Sequence, residues 1–474
     1  MAQAETLGRV SRISLLTGKP LIAILLASFI ARVALITSGV QNTFDDFRYA
    51  RALDLLRTHD VSTLLTTYDH MGFTVASIVP AFLHRIAASL SGQPIDHFYF
   101  VPAFCFAFAS LGCIALIYGI ALRAGAPAKE ALLAALLFAI TNSFFYWVPY
   151  VLPYDLGLFL MLLALYVGLG ESSSRPRSMM VGLITWTAFL VYNGHWILGA
   201  VVLAIHVFQN RQFVTRALFA LVGFLAMPVL LIVGTRGDYI VGMSRFGSLD
   251  SHGLYGEGWS LPFEVFWHAE FLTVVIWLLG LAAALDAYLR TRDNRALVWF
   301  LALAGVYVAL VAGSVVLEQF VVHGRHARQM IPFLVLLSAY GLAHLSRRPR
   351  RQVVAAAVLV ALPSFIQPFT IGSPRDAELR AKEEVGDFAR ESTILGSWWK
   401  PDDRARYVLL NTEVIESAEG VRPPPNGRVI FSVKHPYRFE ALLYEGATPE
   451  ERAIIRAASL RMTLIDRGVA SGRQ

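Results

Sequence analysis

The chain has 474 residues, of which 56% are apolar and only 16% charged, and its mean hydropathy is +0.54; charge is too sparse to cover a water-soluble protein of this size. The net charge of +7 and pI near 9.4 do not indicate nucleic acid, because the basic residues stand in short clusters between apolar runs and form no continuous patch. A bilayer must supply much of the solvent, and the clusters read as topology signals. The two cysteines, Cys105 and Cys113, share one apolar run and read as small core residues rather than a disulfide or metal pair.

The first apolar run, 21–38, follows Arg9, Arg12 and Lys19 and lacks a small-residue cleavage site. It reads as an uncleaved signal anchor, with the amino terminus in the cytoplasm and mature numbering from near Met1. Further apolar runs at 98–122, 130–148, 155–170, 179–193, 196–209, 217–234, 271–289, 296–317, 329–345 and 352–370 predict a polytopic α-helical membrane protein with about eleven transmembrane helices. The inside connections then hold Arg123 and Lys129, Arg175 and Arg177, Arg211 and Arg216, Arg290, Arg292 and Arg295, and Arg347, Arg348, Arg350 and Arg351. A single kinked helix around Tyr192-Asn193-Gly194-His195 would invert everything downstream, but the charge pattern after it favours two spans. No internal repeat suggesting the inverted halves of many transporters is visible.

The chain therefore divides into a membrane domain, 1–370, with outside loops at 39–97, 235–270 and 318–328, and a small extracytoplasmic α/β domain, 371–474. In the tail, Ser373 and Pro374 can start a helix containing Asp376, Glu378, Glu383, Glu384 and Asp387. Strand-like runs at Tyr407–Leu410, Val429–Val433 and Met462–Ile465 surround a second helix, opened by Thr448-Pro449-Glu450-Glu451 with capping-box spacing.

Ionisable residues concentrate in the outside loops. Asp45 and Asp46 follow the first span within Asn42-Thr43-Phe44-Asp45-Asp46-Phe47-Arg48-Tyr49; an acid bordered by aromatics can have its pKa raised into the range of a general base, whereas the competing reading is a helix cap and a solvated charge. The loop continues with Tyr68-Asp69-His70-Met71-Gly72, where His70 can meet an anionic headgroup or be structural, and with an amphipathic run, Phe73 to Ile86, expected on the membrane surface. Asp155 stands at the outer end of the fourth span, as a third acid or an interfacial cap. Between the ninth and tenth spans, His323, Arg325, His326 and Arg328 crowd an outside loop against the topology trend; they suit a phosphate, or anionic lipid headgroups. The loop 235–270 carries His252, Tyr255, Glu257 and Trp259, a mixture suited to carbohydrate and also found where aromatics merely anchor an interface.

In combination, the first outside loop with paired acids, the later acid at a loop-to-helix junction and the basic outer loop before a late span resemble the GT-C glycosyltransferases. The resemblance is to the bacterial branch of protein O-mannosyltransferases and aminoarabinose lipid A transferases. It implies a general base at Asp45 or Asp46, a second acid at Asp155, and donor-phosphate contacts from the Arg325, His326 and Arg328 region. In place of the Lys or His followed by Pro-Pro-Leu common in that family, His70 precedes Met71-Gly72-Phe73.

The expected function is an inverting glycosyltransferase in the bacterial inner membrane, moving a sugar from a polyprenyl-phosphate donor to a lipid, polysaccharide or protein acceptor at the outer face. Membrane lipids are expected partners and nucleic acid is not. No cofactor is indicated, and a divalent metal is compatible with the acidic loops. The competing classes are a lipid or sugar transporter or flippase, which needs ionisable groups near mid-membrane, and a noncatalytic membrane scaffold.

Overall fold

A computed structural model of the chain describes residues 2–37, 46–58, 71–145, 148, 151–170, 174–209, 211–234, 255–270, 272–320, 322, 324–345, 355, 392–395, 407–410, 428–434, 448, 450, 453 and 461–466. They are mostly helical and belong to two compact units: residues 1–243, 272–307 and 329–362 form the first, and residues 244–271, 308–328 and 363–474 the second.

The first unit is a helical bundle. Its helices are α1 (Ala2–Thr37), α2 (Asp46–Thr58), α3 (Met71–Ser91), α4 (Phe100–Arg123), α5 (Ala128–Ala139), α6 (Tyr154–Gly168), α7 (Arg175–Val191), α8 (Trp196–Phe208) and α9 (Phe213–Gly234). In the second unit α10 (Leu261–Glu270) follows; the first unit resumes with α11 (Leu272–Thr291), most of α12 (Asn294–Val311) and, later, α13 (Ile331–His344). Among the described residues six helices are long and apolar enough to cross a membrane: Lys19–Thr37, Gly72–Ser91, Phe100–Arg123, Phe213–Gly234, Leu272–Thr291 and Asn294–Val316. The apolar runs Tyr154–Gly168 and Asn193–Phe208 are shorter. Leu218, Leu221, Leu225, Val229 and Val233 of α9 are all exposed, an apolar face that water would penalise and lipid solvates. The chain is a membrane protein.

At the centre lies α13, in which every residue from Ile331 to Leu342 is buried, as in a helix that is apolar all round. It packs on α11 and α5, while α6 packs on α4 and α7, and α7 on α9. Two crossings need residues without a side chain. A Cβ on Gly182 of α7 would collide with the Ala220 carbonyl of α9, and one on Gly341 of α13 with the Gly280 carbonyl of α11.

The region around Tyr192 is two helices. After α7 ends at Val191, a single 3₁₀ turn, Asn193–His195, reverses the chain into α8. His206 near the end of α8 reaches back to Ser178 at the start of α7, with Nε2 2.9 Å from its hydroxyl. One kinked helix would hold those residues far apart; the observed pair is an antiparallel hairpin. The helix α3 corrects the expectation of a surface helix over Phe73–Ile86. Three polar side chains along it, Thr74, Ser77 and His84, are buried while Val75, Val79, Phe82 and Leu90 face outward, the reverse of a helix with its polar face in water.

In the second unit, a 3₁₀ turn, Tyr255–Trp259, packs on a π-helical turn, Ala312–Val316, and α10 packs on the single helical turn Gly324–Ala327. The same unit contains four strands, β1 (Ser392–Leu395), β2 (Tyr407–Leu410), β3 (Arg428–Lys434) and β4 (Arg461–Asp466), in the order β1-β2-β4-β3. The β1–β2 pair is parallel and the other two pairs are antiparallel, with an irregularity between Val429 and Phe431. The expected strands at 407–410, 429–433 and 462–465 correspond to β2, β3 and β4; β1 was not anticipated. Apart from isolated positions, the expected span 352–370 and the helices after Ser373 and Thr448 lie outside the described residues.

Candidate functional site

The first-loop acids lead directly into α2. Asp45 lies outside the described residues, and Asp46 is the first residue of α2, its side chain not described. One turn on, Tyr49 is buried and pins the helix to α3, its hydroxyl 3.0 Å from His84 Nδ1. The other ring nitrogen, Nε2, is 2.7 Å from the Ile95 carbonyl. A carbonyl only accepts, so Nε2 carries the proton, and in the neutral ring Nδ1 accepts from the Tyr49 hydroxyl. Burial, with Tyr99 and Cys105 nearby, pushes the Tyr49 phenol well above its ordinary value, so it stays a neutral donor. Tyr99 packs edge-on to His84 at 5.0 Å between ring centres. This relay holds the start of α2, whose first residue is Asp46.

Asp155 is the second residue of α6, 5% exposed, in the first turn where a helix favours an anion. Cys113 Sγ lies 3.7 Å from its carbonyl oxygen. The charge of Asp155 acts on Arg32 of α1, a fully buried residue that the sequence did not single out. Arg32 Nε donates to Ser110 Oγ at 2.5 Å, Nη1 to the Ser28 carbonyl at 3.1 Å, and the guanidinium lies 4.4 Å from the centre of the Phe145 ring. Beside Asp155, the Tyr154 and Tyr192 rings pack at 4.4 Å, and His195 Nε2 lies 3.3 Å from the Tyr154 carbonyl. Gln329 Oε1 accepts the Leu198 N–H at 2.8 Å, meeting one of the unpaired amides in the first turn of α8. The apolar runs surrounding Arg32, His195 and Gln329 gave one clue, that a polar residue inside such a run needs a partner.

In the second unit, His326 and Arg328 are both buried, His326 edge-on to Phe320 with ring centres 6.0 Å apart. Arg325 belongs to the helical turn Gly324–Ala327, with its side chain not described. Tyr255 and Glu257 belong to the 3₁₀ turn, again without described side chains, whereas Trp259 at its end is 58% exposed. His70, His252 and His323 lie outside the described residues. Thus α10 and the basic turn share one unit, while Asp155, Arg32 and the packed rings of Tyr154, Tyr192 and His195 belong to the other. Among the described residues no three His, Cys, Asp or Glu side chains form a group that could hold a metal ion.

No family model and no curated protein sequence matches the chain. Solved structures do match in fold. ArnT from Cupriavidus metallidurans bound to undecaprenyl phosphate superposes with a TM-score of 0.51 at 15% identity, over 78% of this chain and 68% of that one. ArnT in the apo state gives the same score and identity, with 67% of that chain covered. The archaeal oligosaccharyltransferase AglB from Archaeoglobus fulgidus, in complex with an inhibitory peptide and a dolichol-phosphate, matches at 14% identity and a TM-score of 0.47, over 78% of this chain and 59% of that one. The likeness to ArnT is one of fold, and it is the fold expected from the GT-C resemblance.

Proposed function

We propose that the protein is an inverting GT-C glycosyltransferase that moves a sugar from a polyprenyl-phosphate donor to an acceptor at the outer face of the bacterial inner membrane. The observation that carries this reading is the fold shared with ArnT, a protein captured with undecaprenyl phosphate. The proposal includes eleven or so spans, an inside amino terminus, and an extracytoplasmic α/β domain from 371 to the end. Asp45, with Asp46 as the alternate, takes the proton of the acceptor hydroxyl as its oxygen attacks the anomeric carbon, and polyprenyl phosphate leaves on the opposite side of that carbon. Arg325 and Arg328, with His323, His326 and His70, bind the donor phosphate and stabilise its charge on departure. His252, Tyr255, Glu257 and Trp259 contact sugar or acceptor, and Asp155, charge-coupled to Arg32, is the second acid of the site.

The test is transfer from an extracted polyprenyl-phosphate sugar by the purified protein. Asp45→Asn keeps size and capping ability but removes the basic carboxylate, so it is expected to retain donor and slow transfer by on the order of 10²-fold or more. Parent-rate turnover by both Asp45→Asn and Asp46→Asn at saturating acceptor would show that neither is the base. The buried Arg32 near Asp155 also suits a transporter, since buried charge in a span often marks a translocation path. Movement of labelled donor across vesicles without a glycosylated product would favour that second reading.

A further inference from the structure

At the end of α6 opposite Asp155, roughly 20 Å away along the helix, the first unit holds a cavity of about 280 Å³ lined in part by Arg123, Leu169, Gly170, Arg216, Arg295 and Trp299. Its arginines come from three helices that converge where α6 and α8 end. Part of their purpose is plain: Arg123 Nη1 donates to the Tyr166 carbonyl at 2.8 Å, and Arg216 Nη1 to the His206 carbonyl at 2.9 Å, capping the C-terminal ends of α6 and α8. Arg295 is already neutralised, with Nη2 2.8 Å from Asp293 and Nη1 3.6 Å from the buried Glu130.

Capping does not account for the rest. Arg216 is 1% exposed, yet its Nε has no hydrogen-bond partner, and among the described residues no carboxylate pairs with Arg216 or Arg123. A buried guanidinium with a donor left over, on the wall of a cavity beside a second arginine that no described carboxylate neutralises, is costly unless an anion completes it. We propose that this cavity is a binding site for a phosphate group, with Arg123 and Arg216 as its main ligands, distinct from the donor-phosphate region around Arg328. Arginine forks match phosphate oxygens in pairs, and the cavity is large enough for the phosphate with part of a glycerol moiety.

The full-length protein in detergent would be titrated with dihexanoyl-phosphatidylglycerol, with inorganic phosphate and with phosphate-free dihexanoylglycerol, reading thermal stabilisation and bound ligand by native mass spectrometry. The expected result is saturable binding of at least one phosphate-bearing probe and none of dihexanoylglycerol. Arg123, being exposed, can be changed without emptying a packed site, and Arg123→Gln should weaken that binding about tenfold. Arg216→Gln should abolish it, and Arg216→Lys should restore part of it. Tighter binding of the lipid identifies a headgroup as the source, and equal competition by inorganic phosphate identifies a free anion. Absence of binding by both phosphate probes, or binding that Arg123→Gln and Arg216→Lys leave unchanged, overturns the proposal. Neither outcome bears on the transferase reading, which the donor assay decides separately.

Discussion

The buried charge of Arg32 depends on where Asp155 sits. Its guanidinium, in the bundle interior, donates to Ser110 and the Ser28 carbonyl, neither of them charged, and the charge of Asp155 at the head of α6 offsets part of its burial. Asp155→Asn is therefore expected to lower the melting temperature, and Arg32→Met combined with Asp155→Leu to recover most of that loss, because both charges are removed together. Thermal unfolding in detergent measures both; equal melting of the single variant and the parent would show that the two charges are not coupled. Asp155 was legible in the sequence as an acid where an apolar run begins, but Arg32 was not. An arginine within a signal anchor reads as a tolerated interruption, and its partner Ser110 stands 78 residues away.

At the level of elements, hydrogen bonds set where helices begin. The Tyr49–His84 bond ties α2 to α3, so Tyr49→Phe removes one buried bond, about 1 kcal/mol, and loosens the helix that follows the paired acids. Under the proposed mechanism this slows transfer several-fold at unchanged donor affinity, a split read from kcat and donor Kd; loss of donor affinity instead would place the relay at the donor site. Between α11 and α12, Asp293 Oδ1 accepts the Arg295 N–H at 2.9 Å and caps α12. Burial alone would raise the Asp293 carboxyl, but hydrogen bonds from the Arg295 side chain and peptide, with the charges of Arg295 and His344, hold it below the ordinary aspartate range. A depressed folded pKa contributes stability that is present above the unfolded value, about 3.9, and is lost as pH falls below it. Between neutral pH and about pH 3, the parent should thus lose more melting temperature than Asp293→Asn; parallel profiles would remove Asp293 from the acid response. The α7–α8 boundary was legible because the charge pattern after it favoured two spans. The seating of α3 was not: Thr74, Ser77 and His84 lower its hydropathy, and only the fold shows that they face protein.

For the whole molecule, the alternation of basic connections predicts an extracytoplasmic carboxyl terminus. In a background lacking Cys105 and Cys113, an impermeant thiol reagent applied to intact cells should reach a cysteine near Ser417 and not one near Arg348; the opposite pattern overturns the topology. The expectation counts eleven spans without α3; a crossing by α3 makes the count even and brings the carboxyl terminus inside, so the same labelling decides how α3 is seated. Hydropathy exposed the membrane class and much of the helix order, because apolar length is a property of sequence. It could not expose the inner contacts, because lipid-facing and protein-facing leucines look alike. The outward apolar face of α9 has a further consequence. Its residues stay in hydrocarbon whether or not the helices have assembled, so they hold α9 in the membrane without favouring its union with α7. Assembly is decided on the other face, where Gly182 and Gly223 let two backbones meet, and a single methyl group added there would hold the helices apart whatever leucines turn toward lipid.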